Sequence, residues 1–129
     1  MDNYDQLATA LNELNMRYPR PGLDPLELTP ILNIAANPDA SWPGNEHAGI
    51  YVIMDERKDL LYIGKASFGS TIGRRLNQRF NAKWMPVTQE SEGCRFLTTI
   101  PLPRGHEFEA PAIEEFFLKR LTTKNNKIT

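Results

Sequence analysis

The chain has 129 residues, with 40% hydrophobic and 24% charged side chains, which is ordinary for one soluble globular domain with its own core. The single Cys94 excludes an intrachain disulfide, and the net charge of -1 excludes a generic nucleic-acid coat. The charge is unevenly spread: residues 1–48 hold seven acids against two bases, residues 49–83 seven bases against three acids, and residues 84–129 six of each.

In chain order, Tyr4, Leu7, Leu11 and Leu14 recur at steps of three and four, which predicts a helix over 4–16. Tyr18-Pro19-Arg20-Pro21-Gly22 ends it. Asp24-Pro25 then reads as N-cap and first residue of a second helix carrying Leu26, Ile31, Leu32 and Ile34, shortened by Pro30. Residues 37–48 are rich in turn formers and read as a connection. Residues 49–54 and 60–64 are β-branched and aromatic runs around the polar turn Asp55–Asp59, a hairpin signal. Ser70-Thr71 can cap a helix with Ile72, Leu76 and Phe80 on one face. Residues 85–93 read as loop, 95–100 as a third strand closed by Pro101 and Pro103, and 108–121 as a final helix. Ala110, Ile113, Phe117 and Leu121 form its buried stripe, and Pro111 is tolerated in its first turn.

The hairpin carries Gly49-Ile50-Tyr51 and Tyr62-Ile63-Gly64, so two tyrosines fall on adjacent strands. A phenol is a poor base unaided, but beside Lys65 or a metal-bound water it can orient or deprotonate a nucleophile. Simple cross-strand packing is the competing account. Gly64 precedes Lys65 and marks either a turn or the close approach of a ligand. Arg75 borders the buried face of its helix and Arg79 shares that face one turn on, whereas Arg74 lies outward. Guanidinium groups match phosphate geometry, or else pair with surface acids. Glu114 sits at the edge of the last helix's apolar stripe. Glu115 is one step further round and pairs with Lys119, leaving Glu114 as the candidate ligand. His47 and His106 are isolated and read as surface, and Cys94 as core. No Cys/His cluster suggests zinc, and Gly69-Ser70-Thr71-Ile72-Gly73 lacks the ending of a nucleotide-binding loop.

The two tripeptides, with Gly64-Lys65-Ala66, Arg75 five residues before Phe80, and Glu109-Ala110 through Glu114 to Asn126, resemble the GIY-YIG nuclease family over residues 49–126. The family includes homing endonucleases and the incision subunit of bacterial excision repair. The resemblance implies a small α/β (α+β) domain at 49–129, with a three-stranded antiparallel sheet flanked by helices. Residues 1–48 are then an acidic helical extension that packs on the core, shields the groove or binds a protein. It also implies metal-assisted phosphodiester hydrolysis in nucleic acid, with DNA the favoured polymer. Glu114 would hold one Mg²⁺ or Mn²⁺, Tyr51 and Lys65 would act on the attacking water, and Tyr62 would position groups by hydrogen bonding. Arg75 would stabilise the scissile phosphate. Gly64, Arg74, Arg79 and Asn126 would bind or support the substrate. Arg79 stands where family members often have His or Tyr, and the segment from Gly64 to Arg75 is slightly longer than in the repair subunit. Alternatives are a weak or inactive nucleic-acid-binding module of the same fold and a regulatory protein-interaction domain. Met1–Asp5 has no signal-peptide features and no apolar run spans a membrane, so a cytoplasmic protein without membrane partners is expected.

Overall fold

The computed structural model describes residues 3–37, 40–80, 86 and 88–126, so positions 38–39 of the connection and 85 and 87 of the expected loop lie outside the described residues. The chain is a mixed α/β protein with helices α1 (Asn3–Arg17), α2 (Ile72–Arg79) and α3 (Ala110–Arg120). Four strands, β1 (Leu32–Asn33), β2 (Gly49–Met54), β3 (Leu60–Ala66) and β4 (Phe96–Pro101), form one antiparallel sheet in the order β1-β4-β2-β3. Among the described residues no helix is long and apolar enough to cross a membrane.

Strand β2 is central and all six of its residues are buried, which its unbroken apolar run dictates. Side chains alternate across a strand. Ile50, Val52 and Met54 therefore join Leu7, Leu11 and Leu14 of α1 and Ile113 and Phe117 of α3 in one cluster. Tyr51 and Ile53 face the other way, onto Ile72 and Leu76 of α2 together with Trp42 and Phe80. The sheet is thus a middle layer, with α1 and α3 on one face and α2 on the other. Asp55 shapes the β2–β3 turn by accepting from the amides of Arg57 and Asp59 at 2.9 and 3.0 Å.

Two expectations are corrected. The sheet has four strands, not three, and residues 24–31 form no second helix. The reasons are linked. Pro25 and Pro30 leave too short a run to offset the cost of helix nucleation, and each disfavours helical geometry in the residue before it. The edge of β4 offers the same backbone a partner. Asn15 Nδ2 donates to the Leu26 carbonyl at 2.9 Å and its Oδ1 accepts from the Leu26 amide at 3.0 Å, which holds the chain extended. Thr29 N then donates to Thr99 O at 2.9 Å, and Leu32 pairs with Leu97 as β1. Smaller differences fall at boundaries. Strand β3 continues to Ala66, and a 3-10 turn, Glu107–Glu109, leads into α3.

Candidate functional site

Tyr51 lies opposite Gly64 across the hairpin, and Tyr62 lies opposite Ile53. The two tyrosines are therefore diagonal neighbours on the α2 face, with ring centroids 6.1 Å apart. The Tyr51 ring lies directly over Gly64: a Cβ built there would overlap Tyr51 Cζ and Oη and stand 2.7 Å from Cε2. The glycine is thus required by the phenol above it. Tyr51 is wholly buried, whereas Tyr62 is partly exposed.

Arg79, at the end of α2, ties the two phenols together. Its Nε donates to Tyr51 Oη at 2.7 Å and its Nη2 to Tyr62 Oη at 3.2 Å. The guanidinium carbon also lies 4.4 Å from the Tyr62 ring centroid. A guanidinium has only donors, so both phenols present lone pairs to Arg79 and each retains its own O–H proton to donate elsewhere. The residue expected to contact substrate thus also orients the two tyrosines.

Tyr62, Lys65, Ala66, Ser67, Phe68, Ser70, Arg75 and Glu114 line a groove of about 300 Å³. It wraps the free edge of β3, with α3 supplying Glu114 from one layer and α2 supplying Arg75 from the other. Lys65 Nζ stands 3.4 Å from Glu114 Oε1. Both side chains are partly exposed, and such pairs contribute only about 0–1 kcal/mol, so an incoming ligand can displace it. Arg75 Nη1 donates to Gln78 Oε1 at 3.3 Å, while its Nε is buried with no hydrogen-bond partner. A guanidinium at a groove wall suits an oxyanion.

The remaining expected site residues lie around this groove. Arg74 is exposed and donates to the Gly69 carbonyl at 3.1 Å. Asn126 accepts from Ile63 N at 2.8 Å and donates to Ile63 O at 2.9 Å, continuing backbone bonds from Lys124 N to Leu60 O and from Asn125 N to Leu61 O. The segment 124–126 therefore covers the β3 edge up to the point where the groove begins. The start of α2 offers no anion site. His47 O accepts from Ile72 N, Asn45 O from Gly73 N, and Thr71 Oγ1 from Arg74 N, the last being the expected helix cap. His47 Nδ1 lies 3.0 Å from Leu102 O, away from the groove. None of the groove-lining residues comes from residues 3–37.

A hard divalent cation fits this donor set in one form only. Among the described residues no three or more His, Cys, Asp or Glu side chains gather as ligands, so an all-protein cage does not exist there. Mg²⁺ commonly takes one or two carboxylates and completes its shell with water and substrate phosphate. Glu114 is one such carboxylate, partly exposed, facing a groove that Ser67 and Ser70 also line.

Two larger hollows lie elsewhere. One, of about 550 Å³ between the end of α1 and α3, is largely apolar apart from ion pairs such as Arg20–Glu109 at 2.8 Å. The other, of about 730 Å³, runs along residues 20–30 and Pro101–Pro103. Neither contains a tyrosine, arginine and carboxylate of the expected set. Sequence reasoning missed Ser67, Phe68 and Ser70. Their one signal is a Phe-Gly pair between serines directly after β3.

No protein-family model, no curated protein and no solved structure matches this chain.

Proposed function

We propose that this chain is a divalent-metal-dependent nuclease of the GIY-YIG type that hydrolyses phosphodiester bonds in nucleic acid, with DNA the favoured polymer. The observation that carries the reading is the convergence of Tyr62, Lys65, Arg75 and Glu114, from a strand and two helices, on one groove, with Tyr51 tied to Tyr62 through Arg79. Arg75 binds the scissile phosphate through the guanidinium at the groove wall and stabilises the charge that builds on its oxygens. Arg79 holds the phenols so that their protons point away from the guanidinium. Tyr62, at the groove wall, orients the attacking water or a phosphate oxygen by hydrogen bonding. Lys65 leaves Glu114 as substrate enters and adds positive charge beside the phosphate. Glu114 is the carboxylate that would hold a single Mg²⁺ or Mn²⁺, whose chemistry when bound is neutralisation of phosphate charge.

A second reading is a binding module of the same fold with little catalysis. It is favoured by the wholly buried Tyr51 and by the Lys65–Glu114 contact, which occupies the candidate ligand. A cleavage panel separates the two: single-stranded, duplex and branched DNA and single-stranded RNA, each with Mg²⁺ or Mn²⁺. The nuclease reading expects cleavage that falls at least about 100-fold in Glu114→Gln and in Arg75→Ala, the scale of losing one transition-state contact. Cleavage that survives both substitutions refutes it. Binding with no cleavage by the wild-type chain establishes the second reading.

A further inference from the structure

Phe68 is 72% exposed, one of four large apolar side chains left in water among the described residues, and it lines the same groove as Lys65 and Arg75. Its placement is built. Ser70 N donates to Ser67 O at 3.1 Å, closing a four-residue turn with Phe68 and Gly69 at its centre. Gly69 has φ +76°, the left-handed geometry that the third position of a type II turn requires. Arg74 Nη1 holds the Gly69 carbonyl at 3.1 Å, and Thr71 caps α2 directly after the turn. The ring is thus carried on a pinned tip and stands mostly in water.

An aromatic face beside two phosphate-binding cations is the pairing by which proteins hold a nucleobase and its phosphate together. Bases within a duplex are already stacked on their neighbours, so such a ring gains a partner only where a base is unpaired. We infer that Phe68 stacks on an unpaired base next to the phosphate bound in the groove. The substrate class is then a strand with an unpaired nucleotide at the cut site: a single strand, gap or flap, and not intact duplex. This rests on the nuclease reading for the identity of the polymer.

Fluorescence anisotropy without divalent metal tests it on four probes: single-stranded DNA, the same sequence as RNA, as a duplex, and as a duplex with a one-nucleotide gap. Phe68→Ala should weaken binding of the single strand and the gapped duplex about 5- to 150-fold, the range of one lost base stack, and leave the intact duplex within about twofold. Phe68→Trp should restore wild-type binding. A 2-aminopurine placed at the unpaired position should be quenched by the wild type and by Phe68→Trp, but not by Phe68→Ala. Equal weakening on duplex and single strand overturns the inference, because the ring then acts as a duplex wedge. Unchanged binding on every probe also overturns it and leaves the nuclease reading intact. A wild-type chain that binds none of the probes here, and cleaves none of them once Mg²⁺ or Mn²⁺ is added, overturns both.

Discussion

Replacing Gly64 with alanine adds one methyl group at the most crowded point of the site. That methyl would occupy the volume of Tyr51 Cζ and Oη, and Tyr51 is fully buried, so the ring has no open side to move into. Overpacking of this kind costs about 1–3 kcal/mol. Displacing the ring also strains the 2.7 Å bond from Arg79, a charged donor whose hydrogen bonds contribute about 1.5–3 kcal/mol. With part of that bond retained, the expected loss is about 3 kcal/mol. Unfolding entropy near 60 °C is about 2.1 cal/mol/K per residue, which for 129 residues comes to about 0.27 kcal/mol/K. Gly64→Ala should therefore lower Tm by about 11 °C in a calorimetric or circular-dichroism melt. The cause is specific to the ring, so the same substitution in a Tyr51→Ala background should cost almost nothing, a non-additivity measurable by urea titration of the double-mutant cycle. A Gly64→Ala protein melting within about 3 °C of wild type, or an undiminished cost without the ring, refutes the argument.

Asn126→Ala removes both bonds to Ile63 and reopens that stretch of the β3 edge. The expected cost is about 1–2 kcal/mol, with faster hydrogen exchange at the Ile63 amide, and unchanged protection there would refute the clamp. Burial tends to raise the Asp55 carboxyl, but the bond from Lys124 Nζ at 2.7 Å and the amides of Asp59 and Arg57 outweigh it and hold Asp55 below the usual aspartate range. A depressed carboxylate contributes stability above its unfolded value, about 3.9, and loses it as the pH falls through the lower folded value. The urea midpoint of wild type should accordingly exceed that of Asp55→Asn at pH 7, with the gap closing below about pH 4, and a gap that persists in acid would count against the assignment. Burial pushes the Cys94 thiol up to about 12, so native protein at pH 8 should react with iodoacetamide more than about 100-fold slower than unfolded chain. Equal rates would place the thiol in water.

What the sequence determined by itself was local or periodic. The stripe Leu7–Leu11–Leu14 encodes α1, the two apolar runs around Asp55–Asp59 encode the hairpin, and Thr71 followed by Ile72 and Leu76 encodes a capped α2, each through contacts among near neighbours. The placing of Arg75 and Glu114 at the edges of their apolar stripes was legible for the same reason, and both line the groove. Tertiary structure alone decided what depends on partners far along the chain. Residues 24–33 lie extended because Asn15 and the edge of β4 hold them, and no pattern within that segment encodes an edge 65 residues away in register, Leu32 to Leu97. Arg79 reads as a phosphate ligand from its helix face, but that pattern does not show that two of its donors meet phenols brought into range only when the hairpin packs on α2. Hydrogen bonds of long sequence separation form where the packed layers bring groups together, and a one-dimensional pattern records which face a residue occupies, not what meets it there.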